Sequence, residues 1–225
     1  MLKALIALGG RGVREDEIAD LLWPDADGDM AYQSFRTTLH RLRQLLGNEK
    51  AVQVHEGQIT LDDRTCRVDV WAFEQLLEQA ETQWKKEKVE KAAQLTEKAL
   101  EIYKGPFLRQ DVKESWALSM NERLKAKFMF YISKLGDHWQ KAGQWENAMK
   151  CYLRGLEIDD LSEDFYRALM LCFQKLDRRA EAISVFRRCQ RILSNNLHIE
   201  PSAKTQSIYK ALVSEKRESG EPAPL

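Results

Sequence analysis

The sequence predicts a mainly α protein in two parts, a small helical domain that carries one β-hairpin and, after it, an all-helical array. Three observations predict this. Residues 29–47, DMAYQSFRTTLHRLRQLLG, form one long amphipathic helical pattern with a shorter apolar helix ahead of it. Residues 52–61 alternate apolar and polar about a central glycine, as half-buried strands do. From Val68 onward the alternation stops, and small and aromatic residues recur 34 positions apart, a period typical of stacked helical hairpins.

Leu2 to Leu8 is an apolar helical run closed by Gly9-Gly10, a pair suited to ending a helix. Glu15 to Leu22 is a second short helix, with Ile18, Leu21 and Leu22 on one face. Pro24 ends it, because the residue before a proline is driven out of helical geometry; Trp23 is expected to plug the core. Asp25 to Asp29 is a polar turn. In the long helix, Ala31, Leu39, Leu42 and Leu46 fall within about 40° of Phe35 at 100° per residue, one apolar stripe. Gln33, Arg36, Thr37, His40 and Gln44 face the other way, with Arg41 and Arg43 on the flanks. None of these is acidic, and arginine forks and side-chain amides are the groups that read guanine and adenine edges. Many helices with wet arginines do no more than pack on a core. The order of elements argues for more: helix, helix, then a hairpin of Val52–Val54 and Ile59–Leu61 turning at Glu56-Gly57 is that of a winged helix-turn-helix, with 29–47 as recognition helix.

Asp69 is placed to cap a helix over Trp71–Trp84. Gly136, Gly143, Ala148 and Tyr152, with Leu135 and Trp139, fit a tetratricopeptide pattern; Leu169, Phe173, Ala182 and Phe186 follow Leu135, Trp139, Ala148 and Tyr152 by 34 residues. A looser copy centres on Ala80, Ala92 and Ala99, separated from the next by an insertion of about 22 residues that contains Gly105-Pro106-Phe107-Leu108. Pro201 to Arg217 is a capping helix, and 218–225 is expected to be a disordered tail. Exposed positions on the first helices of the repeats, Ser133, Asp137 and Gln140 and then Arg167, Leu171 and Gln174, are the expected partner contacts.

Composition narrows the function classes. The chain is 44% hydrophobic and 31% charged with zero net charge. Its apolar start is too short for a secretory signal, and no run is long enough for a bilayer, so a cytoplasmic protein with no membrane partner is expected. Cys66, Cys151, Cys172 and Cys189 lack metal-site spacing, and the last three occupy apolar helical positions. No phosphate loop, dinucleotide fingerprint, zinc-protease or nucleophile-elbow motif occurs. The sequence therefore predicts no enzyme, no metal and no cofactor. Residues 1–67 hold nine Lys or Arg against eleven Asp or Glu, which disfavours nonspecific binding to DNA but leaves a specific reader open, since the acids cluster away from the outward face.

With these motifs in hand, the chain resembles the DNA-binding and bacterial transcriptional activator domain pair of the Streptomyces antibiotic regulatory protein family. The resemblance rests on LLWP at Leu21–Pro24, FRTTLHRLRQLLG at Phe35–Gly47, VDVWAFEQLL at Val68–Leu77, YKGPFL at Tyr103–Leu108 and LHIEPSAKT at Leu197–Thr205. It implies an OmpR-like winged helix at 1–67 and a tetratricopeptide-like activator domain at 68–217. It also implies promoter DNA as partner, tandem copies on direct repeats, and contacts with RNA polymerase or other transcription proteins. Carried onto this chain, Gln33, Arg36, Thr37 and His40 would face the major groove, with Arg41 and Arg43 towards phosphates. The sequence begins at the family's first helix, so the family's opening β-sheet is missing or the chain is cut from a longer protein; Gln58 stands where the wing carries an aromatic, and Arg14 stands where Ser or Thr would cap the second helix. The competing expectation is a tetratricopeptide interaction module whose winged helix is structural and does not bind DNA.

Overall fold

Short apolar helices need firm stops, and the first one has a doubled stop. In the structure, a computed structural model describing residues 1–108 and 114–218, α1 (Leu2–Ala7) ends where Gly9 and Gly10 take φ of +98° and +73°. The Gly10 amide donates back to the Leu5 carbonyl at 2.8 Å. A Cβ on Gly10 would stand 2.5 Å from the Trp71 ring, so both the left-handed backbone and the close indole require glycine.

The first of two compact units comprises Met1–Gln75 and Lys104–Ala126. After α1 come β1 (Val13–Arg14), α2 (Glu15–Leu22), α3 (Gly28–Leu46), β2 (Val52–His55) and β3 (Gln58–Leu61). Arg14 offers α2 no side-chain cap, but Glu15, Asp16 and Glu17 fill its first turn, placing negative charge at the positive end of the helix dipole. Asp27 caps α3 by accepting from the Met30 amide at 2.9 Å, and Gly47 ends it at φ +64°. Glu56 and Gly57 turn the hairpin with φ of +50° and +74°, positive at both positions as a two-residue type I′ turn requires. The core joins Leu5, Ile18, Phe35, Leu39, Val52 and Ile59. Trp71 and Trp116 pack against it, and Arg123 pairs with Glu74 at 2.8 Å.

Two expectations change here. The hairpin is not alone: β1 pairs antiparallel with β3, Val13 opposite Ile59, giving a sheet in the order β1-β3-β2. Leu46, expected in the apolar stripe, is 36% exposed, because the last turn of α3 runs past the core. Within this unit, Ser115–Ala126 is the first part of a 27-residue helix, α6 (Ser115–Lys141).

The second unit comprises Leu76–Tyr103 and Lys127–Leu225. It holds the rest of α4 (Asp69–Lys85) and α6 (Ser115–Lys141). With them are α5 (Val89–Ile102), α7 (Trp145–Ile158), α8 (Glu163–Lys175), α9 (Arg179–Leu197) and α10 (Ala203–Glu218). The repeat shows in its turns. Glu87, Gly143 and Asp177 take φ of +56°, +71° and +56°. Each is followed by an amide that reaches back five residues, Lys88 to Gln83, Gln144 to Trp139 and Arg178 to Phe173, at 2.8 to 3.0 Å. This left-handed helix stop is the same at all three places although only one is glycine. Ala92, Ala148 and Ala182 are fully buried. A Cβ on Gly136 would stand 2.6 Å from Tyr152.

The LHIEPSAKT stretch joins α10 to α8. Glu163 accepts from the Ser202 amide at 2.9 Å and from the Ser202 and Thr205 hydroxyls, while Arg167 donates to Glu163 and to Thr205. Burial pushes the Glu163 carboxyl up, but these donors and the Arg167 charge outweigh it and hold it below its ordinary value. No strand follows Leu61 among the described residues. Except for Glu218, which closes α10, the expected tail lies outside them.

Candidate nucleic-acid interface

The Asp27 cap, the apolar stripe and Gly47 determine how α3 is displayed. Ala31, Phe35, Leu39 and Leu42 are buried, and Gln33, Arg36, Thr37, His40 and Arg41 are exposed. Five of the six sequence-derived residues thus share the outward side of one helix. Arg43 does not join them. It is half-buried, and its Nε and Nη2 donate to the Val52 carbonyl at 2.9 and 2.7 Å, tying the last turns of α3 to the start of the hairpin.

Four other arginines of this unit are paired with carboxylates. Arg11 pairs with Asp63, Arg14 with Asp16, Arg64 with Asp62 and Arg123 with Glu74. The Arg14 guanidinium holds the Asp16 carboxyl below its ordinary value, and Arg64 does the same to Asp62. Arg36 and Arg41 have no such carboxylate among the described residues. Arg36 instead lies over the Tyr32 ring, 5.8 Å from its centroid. Tyr32 escaped the sequence reading; its signal was the four-residue spacing to Arg36, one helical turn. The wing tip, Glu56-Gly57, is followed by exposed Gln58 and offers no cation to a minor groove.

The six repeat residues lie on the helices assigned to them, but several are engaged. Asp137 accepts from the Tyr152 hydroxyl at 3.0 Å. Gln140 on α6 reaches Cys172 on α8 at 3.3 Å, so the two triplets occupy neighbouring helices. Arg167 is tied to Glu163, Asp164 and Thr205. Ser133 and Gln174 are half-buried, and Leu171 is exposed.

Among the described residues no three His, Cys, Asp or Glu side chains group to hold a metal, and no helix is long and apolar enough to cross a membrane. Cys151, Cys172 and Cys189 are buried. Burial pushes the thiols of Cys151 and Cys189 up to about 12, far from the reactive thiolate.

A model of the family described as "Bacterial transcriptional activator domain" matches residues 68–213. The chain belongs to that family. The family is one of transcriptional regulators, not of enzymes. Regulatory protein AfsR of Streptomyces griseus is 25% identical over 228 residues, covering all of this chain and 23% of AfsR. Regulatory protein DnrI of Streptomyces peucetius is 22% identical over 158 residues, covering 70% of this chain and 58% of DnrI. The chain therefore spans less than a quarter of AfsR and somewhat over half of DnrI. These regulators bear out the resemblance to the Streptomyces antibiotic regulatory proteins. Among solved structures, Mycobacterium tuberculosis EmbR in complex with a low affinity phosphopeptide superposes with a TM-score of 0.71 at 17% identity, over the whole of this chain and 61% of that one. That likeness shows the winged-helix and helical-repeat fold.

Proposed function

We propose that residues 1–67 bind double-stranded promoter DNA, with α3 in the major groove, and that the activator domain at 68–217 contacts a second copy on direct repeats, RNA polymerase or another transcription protein. The observation that carries this reading is the outward face of α3, where Gln33, Arg36, Thr37, His40 and Arg41 are exposed with no acid among them. In this reading Arg36 takes a guanine edge, Gln33 an adenine edge, and Thr37 and His40 neighbouring positions. Arg41 takes a phosphate, while Arg43 supports the helix from inside. The cytoplasm is the setting where such a chain meets DNA.

The slight acidity of residues 1–67 gives the proposal a particular form, namely weak nonspecific attraction and a sequence preference delivered by few cations. Selection from a randomised duplex library, followed by titration of the winning duplex at two salt concentrations, tests it. A preferred sequence should emerge, bound with a modest salt slope. Failure to enrich any sequence, with partner capture intact, would overturn it in favour of an interaction module whose winged helix is structural.

A further inference from the structure

Tyr32 is half exposed, one helical turn before Arg36 and beside the buried Ala31 and Phe35. At about 60° from Phe35 it stands on the border between that stripe and the outward face. On one side it lies beneath the Arg36 guanidinium. On the other it lines a cleft of about 510 Å³ between α2, the start of α3 and the wing turn, whose walls carry Glu15, Asp20 and Glu56. Arg36 does not line this cleft.

We propose that Tyr32 is a positioning residue for sequence readout: its ring holds the Arg36 guanidinium on the outward face and keeps it from the carboxylates of the cleft. This rests on the major-groove reading of α3. The means of holding matters. Arg14 and Arg64 are held by carboxylates and Arg43 by a carbonyl, each engaging N–H donors. A ring face attracts the cation through its quadrupole and leaves the in-plane N–H fork open, the part that meets guanine O6 and N7. No other contact holds the Arg36 guanidinium among the described residues. Losing the ring should therefore change how often the fork is presented, not whether the charge is present.

The test uses the full chain, the winning duplex of the library selection and a scrambled duplex of equal length. Tyr32→Phe keeps the ring and should bind within about twofold of the parent. Tyr32→Leu keeps apolar bulk and should lose about two- to fivefold on the winning duplex only, the range expected of an exposed cation–ring contact. The double variant Tyr32→Leu/Arg36→Ala should bind no worse than Arg36→Ala, because Tyr32 acts through Arg36. In the free chain, the Arg36 δ-methylene NMR signals should be ring-shifted in the parent and the Phe variant, and unshifted in the Leu variant. Additive losses in the double variant, equal losses on both duplexes, or unshifted Arg36 signals would each overturn the proposal. If Arg36→Ala itself binds normally, the major-groove reading fails and takes this one with it; if only Tyr32→Leu is silent, positioning alone fails.

Discussion

Helices α3 and α8 are built alike and use their arginines in opposite ways. Each is amphipathic and carries an arginine expected on an open face. On α3, Arg36 is exposed, rests on a ring and faces no carboxylate among the described residues. On α8, the Arg167 side chain is 15% exposed and bonded to Glu163, Asp164 and Thr205. One arginine is exposed with no carboxylate partner among the described residues, and the other neutralises a carboxylate that fastens α10. An arginine's position on a helical wheel does not separate these uses; the carboxylate within its reach does.

The largest effect should come from the packing that both helices need before either arginine matters. Leu42 is buried under α3, and Leu42→Ala should cost about 2–5 kcal/mol. Chemical denaturation would show a shifted midpoint, with any loss of DNA binding following the folded fraction. A variant that stays folded yet loses binding would break the separation of stripe and outward face.

Arg167→Ala comes next. It leaves Glu163 partly buried with fewer donors, which should cost about 1–3 kcal/mol, read as a lower melting temperature and as faster hydrogen exchange in α10. DNA affinity of the folded chain should not move. If stability is unchanged and a protein partner is lost instead, Arg167 belongs with the partner contacts after all.

The same network has a pH signature. The folded Glu163 carboxyl sits below its ordinary value of 4.5. Its contribution to stability is therefore complete above that value and is lost as the pH falls beneath it. Exchange in α10 should rise below about pH 4.5, and Glu163→Gln should remove that acid step. A loosening of α10 that sets in on the alkaline side would assign the pH response to another group.

Much of this was legible in the sequence for local reasons. Helix α2 has the bounds expected, Glu15 to Leu22, because its acidic first turn, apolar face and Trp-Pro stop are all contained in ten residues. The hairpin announced itself through alternation about Gly57. Strand β1 did not, since two residues carry no period. The stops at Glu87 and Asp177 were hidden because neither is glycine, though Gly143 marked the turn they share. Arg36, expected to face the groove, and Arg43, expected on the flank towards phosphates, stand only about 20° apart on the wheel, at about 100° and 80° from Phe35. What divides them is the Val52 carbonyl, delivered by a segment nine residues beyond Arg43. The bonds of Arg167 were hidden for the same kind of reason, its partner Thr205 lying 38 residues away.

Arg43→Ala should have a smaller effect than the Arg167 change. Two charge-assisted bonds to one carbonyl contribute about 1–2 kcal/mol, so melting should fall modestly while the salt dependence of DNA binding keeps its slope. Arg41→Ala is the converse, with unchanged melting and a slope flatter by about one unit. A slope that flattens in the Arg43 variant instead would place that residue among the phosphate contacts.

Arg36→Ala should have the smallest effect on the fold and is for that reason the sharpest test of the contrast with Arg167. Its side chain is exposed and has no carboxylate among the described residues to leave behind, so stability should stay within about 0.5 kcal/mol of the parent. Affinity for the preferred duplex should nevertheless fall roughly ten- to a hundredfold, because a bidentate arginine on guanine contributes about 1–3 kcal/mol of discrimination. Arg36→Lys separates charge from shape. Lysine keeps the charge and loses the planar fork, so binding to a scrambled duplex should persist while preference for the selected one disappears. If Lys restores that preference, Arg36 acts as a point charge on a phosphate, and the base-reading role passes to Gln33, Thr37 and His40. If Arg36→Ala lowers the melting temperature as Arg167→Ala does, the two arginines are alike after all, and the outward face of α3 is a surface of the fold and not a reader of sequence.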